Sequence, residues 1–268
     1  MIPTILNGIQ TASKEISVIS HNLANAGTTG FKRSRSEFVD TYGIGAEQPP
    51  NIDIGHGARS LGPKANFSQG QVKPSLSELD VAISGVGMFA TLKRVDPGQD
   101  AFGYDNQLTF TRDGSFRLDN DGTLVTMDGR AVIGADGQAM VVPLARADAD
   151  GNAQRLTALN IGEDGRFEAT YGDGSVVDLE QIGLFDFVNM AGLKGMGNGH
   201  FQVSAASGPP LIGRPAENNF GRVLAGNLET ANINVTNELT KMMKAQQAYS
   251  GSARLLQAAT DMTKRLID

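Results

Sequence analysis

Residues 108–129 read LTFTRDGSFRLDNDGTLVTMDG. Apolar and polar residues alternate in the short runs LTFT (108–111), SFRL (115–118) and TLVT (123–126), and Asp-Gly pairs follow them at Asp113-Gly114, Asp121-Gly122 and Asp128-Gly129. Alternation with a period of two marks a half-buried strand, and Asp-Gly tolerates the positive φ of a tight hairpin turn. The stretch predicts successive β-hairpins. The same signals recur downstream in RFEA (166–169) and in Asp136-Gly137, Asp150-Gly151, Asp164-Gly165 and Asp173-Gly174. From about 80 to 225 no helical period intervenes, so the middle of the chain reads as an all-β, hairpin-rich domain spanning 79–225.

Outward from this middle, the pattern changes at both ends. Ile2, Ile5, Ile9, Ala12, Ile16, Ile19 and Leu23 recur three and four residues apart, a heptad seam with Asn7, Thr11 and Lys14 on the other face. At the C-terminus Leu239, Met242, Gln246, Tyr249, Ala253 and Leu256 keep the same spacing, after a candidate N-cap at Asn234 or Thr236 with Glu238 in the first turn. Two long amphipathic helices flanking a self-contained β domain must bury their seams on each other or on other chains. The expected fold class is therefore α+β, with the terminal helices paired as a coiled coil.

Composition narrows the function. The chain has 268 residues and a net charge of −6, and its densest basic cluster, Lys32, Arg33 and Arg35, sits beside Glu37 and Asp40. A nucleic-acid partner is not expected. There is no cysteine or tryptophan, which removes disulfides, thiolate catalysis and Cys-based metal sites. No basic n-region or long apolar run appears at the start, so neither a cleaved signal peptide nor direct membrane insertion is expected.

Between the first seam and the β domain lies SHNLANAGTTGFKRSRSEF (20–38). Gly27 reads as a left-handed helix stop and Gly30 as a second sharp turn. Asn22, Asn25, Thr28 and Thr29 offer side chains to the amides and carbonyls that a helix end leaves open, and Phe31 is an apolar anchor. On this reading the stretch is a joint outside the β domain, and replacing Gly30 should spare that domain's stability.

These residues carry a resemblance. Asn22-Leu23-Ala24-Asn25 followed by Thr28, Gly30, Phe31 and Lys32 resembles the N-terminal signature of the bacterial flagellar rod and hook axial proteins. LDVAISGVGMF (79–89), FTRDGSFRLDNDGTLVTMDG (110–129) and LAGNLETANINVTNELTKMMKAQQAYSGSARLLQAATDM (224–262) are similar to further family motifs in the same order. Gly27, Met88, Ala231 and Gln247 depart from the usual pattern. The resemblance implies a structural subunit of the flagellar shaft: residues 1–40 with 226–268 as an inner helical layer, 41–78 as a connecting or packing arm, and 79–225 as an outer β domain. It implies self-assembly into a helical homo-oligomer, contacts with neighbouring rod and hook proteins, and passage through the flagellar export apparatus. Length favours a distal-rod subunit, with a proximal-rod or short hook-type subunit as the neighbouring reading. A carbohydrate-binding or adhesin-like β module is the reading from a different class.

Enzyme-like signals are weak. Gly85, Gly87 and Ala90 fit G-x-G-x-x-A, but Pro97-Gly98 follows where a dinucleotide site needs a helix, so the glycines read as a turn or bulge. DNDG (119–122) and DADGN (148–152) lack the spaced ligands of a calcium loop and read as solvated turns. His21, His56 and His200 show no metal-ligand spacing. No catalytic residue, metal or cofactor is expected.

Overall fold

The computed structural model describes residues 2–42, 55–93, 108–147 and 153–267. Asp150-Gly151, Pro97-Gly98, the DADGN loop and residues 43–54 of the expected arm lie outside them. The protein is α+β, with a helix at each end and a β-rich middle. It divides into two compact units, Met1–Ala26, Lys32–Asn66 and Ile233–Asp268 in the first, Gly27–Phe31 and Phe67–Asn232 in the second.

The first unit contains α1 (Ile2–Ala24), the antiparallel pair β1 (Ser34–Tyr42) and β2 (Gly55–Ala65), and α2 (Val235–Ile267). The apolar spacing makes α1 a helix, and its last turn tightens as the Asn25 and Ala26 amides donate to the Asn22 and Leu23 carbonyls at 3.1 and 3.2 Å. Gly27, expected to stop the helix with a left-handed conformation, has no positive φ, because these tightened bonds already close the helix. At the start of α2, Asn234 is the cap: its Oδ1 accepts from the Asn237 amide at 3.0 Å. Glu238 in the first turn and Lys264 and Arg265 in the last suit the helix dipole.

The second unit holds β3 (Val72–Pro74), β4 (Val81–Ser84), β5 (Met88–Lys93), β6 (Leu108–Thr111), β7 (Phe116–Leu118), β8 (Leu124–Thr126) and β9 (Arg130–Val132). There follow β10 (Ala145–Ala147), β11 (Ala153–Ile161), β12 (Arg166–Tyr171), β13 (Val176–Gln181), β14 (Leu184–Phe187), β15 (Lys194–Gly197), β16 (His200–Gln202), β17 (Pro210–Gly213), β18 (Arg222–Ala225) and β19 (Asn227–Glu229). A nine-stranded sheet runs β15-β16-β6-β5-β9-β8-β7, with β14 bridging β5 and β17. A four-stranded sheet runs β10-β11-β12-β13, and β18 pairs with β4 and β19 with β3.

Gly122, Gly129, Gly137, Gly165 and Gly174 take φ between +75° and +82°, so five of the Asp-Gly pairs are the positive-φ turns that the sequence implies. Asp113-Gly114 is different. A Cβ on Gly114 would overlap the Val81 carbonyl, which shows that the glycine serves a close crossing of β4 rather than a hairpin tip. Gly85 and Gly87, at φ +115° and +133°, join β4 to β5 with no helix between, as their reading as a turn required.

Alternation sets the core. In β12, Phe167, Ala169 and Tyr171 point one way and join Leu159 and Ile161 of β11 against Phe89, Phe116, Leu124, Val132 and Leu184. Phe89 and Phe116 meet edge-on with centroids 5.1 Å apart. Behind the nine-stranded sheet, Phe110 packs on Phe185 and Phe187, so that sheet is covered on both faces there. Phe167 is fully buried in the core, whereas Phe38 on β1 is 38% exposed. Phe167→Ala should lower stability by about 3–5 kcal/mol and Phe38→Ala by less than about 1 kcal/mol, read as denaturation midpoints by circular dichroism on the full chain.

Candidate functional site

The β unit gathers residues from all four motif stretches around one buried ion pair. Arg112, at the end of β6, places Nη1 3.1 Å from Glu229 Oε2 of β19, and the side chains are 4% and 0% exposed. The rest of the guanidinium donates to carbonyls: Nη1 to Ile83 at 3.3 Å and Nη2 to Gly85 at 2.6 Å. Glu229 uses its second oxygen to accept from the Gly70 amide at 2.6 Å. Gln69 reinforces the same loop, donating to Ile83 O at 3.1 Å and accepting from the Gly85 amide at 3.0 Å. Burial pulls the Arg112 guanidinium below its ordinary pKa, Glu229 and Asp186 oppose that, and the group stays charged.

Residues 27–31 close over this pair from within the same unit. Gly30 has φ +63° and donates its amide to the Glu229 carbonyl at 2.7 Å. A Cβ there would overlap the backbone of Arg112 and Asp113. Thr29 Oγ1 donates to Asp113 Oδ1 at 2.9 Å, an oxygen that also accepts from the Ser115 amide and hydroxyl. The Asn232 amide donates to Phe31 O at 3.4 Å. Gly30 is therefore part of the β unit, and the expectation that replacing it would spare that unit is corrected. The contact joins residues far apart in sequence, which local turn chemistry does not reveal.

In the helical unit a second cluster forms around Asn22 and Glu238, each 1% exposed. Asn22 grips Ser34 from both sides, Nδ2 donating to its carbonyl at 2.8 Å and Oδ1 accepting from its amide at 2.9 Å, so the side chain acts as a strand partner at the start of β1. Its Nδ2 also reaches Glu238 Oε2 at 3.1 Å. Lys241 lies 2.7 Å and Arg33 3.6 Å from the other Glu238 oxygen. Burial alone would raise the Glu238 carboxyl, but Lys241, Asn22 and Arg33 outweigh it and hold the pKa below the ordinary range.

The seam residues fall in three classes. Ala12 and Ile19 are buried, and Ile5, Ile9, Ile16, Leu23, Met242, Ala253 and Leu256 are half-buried. Ile2, Leu239, Gln246 and Tyr249 are exposed. The buried line of α2 runs instead through Glu238, Ala245 and Ala259, with Ser252 half-buried, each seven residues from the next and one residue away from Leu239, Gln246 and Ala253. A Cβ on Gly8 would lie 3.3 Å from Ser252 Oγ. Small and polar residues thus face α1, and a search for large apolar side chains passes over them. Their recurrence at i, i+7 was the available signal. Of the joint residues, Asn25 donates to the His21 carbonyl at 2.9 Å, Thr28 is exposed and Phe31 half-buried.

These two clusters describe a chain whose two ends are organised around each other in one unit and whose hairpin-rich middle forms another, with the buried charges of Arg112, Glu229 and Glu238 engaged on residues of the same chain. Among the described residues no three His, Cys, Asp or Glu side chains gather to hold a metal, and no helix is long and apolar enough to cross a membrane. Three family models match in order: flagella basal body rod protein over residues 3–32, flagellar hook protein FlgE/F/G D1 domain over 82–169, and flagellar basal body rod FlgEFG protein C-terminal over 224–268. The chain is 32% identical to flagellar basal-body rod protein FlgG of Buchnera aphidicola subsp. Schizaphis graminum, with 99% of each covered. It is 31% identical to FlgG of Buchnera aphidicola subsp. Acyrthosiphon pisum, again over 99% of each, and 30% identical to FlgG of Bacillus subtilis, over 98% of this chain and 96% of that protein. The chain belongs to the flagellar basal-body rod protein family. It is a structural subunit of the flagellar rod, and its place is the basal body.

Two outcomes follow from the buried pair. Arg112→Ala leaves Glu229 charged without its partner and should cost about 3–5 kcal/mol, whereas Arg112→Met with Glu229→Met should recover most of that loss, as a denaturant double-mutant cycle would show. Gly30→Val should lower the denaturation midpoint of the β unit, since a β-branched residue at φ +63° is strained and its side chain meets backbone.

Proposed function

We propose that this chain is a distal-rod subunit that self-assembles helically, with neighbouring copies and adjoining rod and hook proteins, through its terminal helices, and so transmits torque. In this reading α1 and α2 pair within each subunit as an antiparallel coiled coil. Gly8 meets Ser252 and Asn22 meets Glu238, and the residues of each helix are separated by two heptads, which supports a constant register. Residues 1–40 and 226–268 supply the helical layer, 41–78 the connecting arm and 79–225 the β domain, except that 27–31 and 226–232 pack with the β strands. The three FlgG relatives match end to end, and 79–225 has room for one β domain, which supports a rod subunit over a hook subunit. Passage through the flagellar export apparatus fits a chain without cysteines that must thread unfolded.

The observation that carries this reading is the division of α2 into two faces. Small residues meet α1, while Leu239, Met243, Tyr249, Leu255 and Met262 are exposed in the single chain at 44, 61, 42, 60 and 64%. Ile2 and Leu6 of α1 are exposed as well. Burial of apolar area contributes about 25 cal/mol per Å², so repeated contacts along a shaft add up to a strong association. Leu239→Asp should leave the helical content of the free subunit unchanged and abolish its incorporation into basal bodies, with loss of motility. Ala245→Asp, at a position 2% exposed, should reduce helical content in the free subunit itself. Motile cells with rods built from Leu239→Asp would overturn the assembly reading.

A further inference from the structure

His200 lies at the start of β16, the inner strand of the β15–β16 hairpin that ends the nine-stranded sheet. It is 5% exposed, and its Nε2 sits 3.0 Å from Asp128 Oδ2 in the turn between β8 and β9. The same Oδ2 is 3.0 Å from Arg130 Nε, while Asp128 Oδ1 accepts from the Thr126 hydroxyl. The other ring nitrogen, Nδ1, is buried without a hydrogen-bond partner. These contacts determine the tautomer: Nε2 carries the proton and donates to the carboxylate, and Nδ1 is a bare lone pair.

We propose that His200 is an acid-sensitive latch that holds the β15–β16 hairpin to the sheet while neutral and releases it when protonated. Protonation would add an N–H at Nδ1 where no acceptor lies, and would place a second cation beside Arg130 on one carboxylate oxygen. The remaining carboxylate within range, Asp113, favours the cation, but its Oδ1 already accepts from Thr29 and Ser115. Across the strand, His200 faces Thr111 of β6, and Lys194 of β15 stands opposite Gln202, at the other end of the hairpin. Burial first, then Arg130, lowers the imidazole pKa, while Asp128 and Asp113 oppose this. Burial alone would raise the Asp128 carboxyl, but the Thr126 hydroxyl, His200 and Arg130 outweigh it and hold its pKa below the ordinary range.

The sign follows from that arrangement. The folded-state pKa lies below the value of about 6.5 that the imidazole regains once the hairpin opens into water. Above that value protonation favours neither form. As pH falls below it, the opened form gains the proton first, so opening increases by up to about tenfold per pH unit until the folded value is reached. The hairpin's outer strand is poorly anchored by its own side chains, since all four residues of β15 are exposed and its pairing is irregular between Gly195 and Gly197.

Amide exchange of the purified full chain, corrected for intrinsic pH dependence, tests the latch directly. Protection over 194–202 should fall between pH 7 and pH 5 while β11 and β12 keep theirs, and the His200 ring should titrate by NMR below its ordinary value. In His200→Gln the loss with pH should disappear. Should that variant fail to fold, the NMR titration of the unmodified chain decides. An ordinary His200 titration with unchanged protection over 194–202 would overturn the proposal.

Discussion

The β unit depends on one buried ion pair. Arg112, just past β6, and Glu229 of β19 lie 117 residues apart in the chain, and each is almost wholly removed from water. Two charges in such a place are tolerable only when their remaining donors and acceptors are satisfied, and here the Ile83 and Gly85 carbonyls and the Gly70 amide complete the set. Backbone must approach closely to supply those groups. Gly30, Gly70 and Gly85 accordingly have no room for a side chain. Only the correct register of the strands around the pair brings its partners into reach.

The helical unit solves a different problem with the same economy of side chains. Ala245, Ser252 and Ala259 let α2 lie close to α1 beside Gly8, and the large residues of α2 are left facing outward. A helix that used Leu239 and Tyr249 against its own partner would have little left to offer a neighbour. Glu238 sits at the end of this line as a buried charge, and Asn22, Arg33 and Lys241 make that position acceptable. One carboxylate thereby ties the first turn of α2 to the last turn of α1 and, through Asn22, to the start of β1.

Much of this was legible because it is local. The hairpin runs at 108–126 became β6, β7 and β8, and five Asp-Gly pairs became turns, because strand alternation and positive φ are properties of a few consecutive residues. The family signature was legible because its four stretches follow one another in order along the chain; that they meet in space, with Thr29 and Gly30, Ile83 and Gly85, Arg112 and Asp113, and Glu229 in one cluster, only the structure shows. Asp113-Gly114 shows the limit. Its sequence is that of a hairpin turn, but the approach of Val81 gives it another task.

The sequence by itself determined two terminal helices, a β-hairpin middle and membership of the axial class, because periodicity, turn chemistry and motif order are written along the chain. Only the tertiary structure decided which line of α2 faces α1, that Gly30 belongs to the β unit, and that Arg112 is paired with Glu229. The reason is that burial is a property of pairs. Leu239 and Glu238 are neighbours on the same turn, and hydrophobicity alone favours burying Leu239. Glu238 is the one buried because Asn22 lies across from it, 216 residues earlier in the chain.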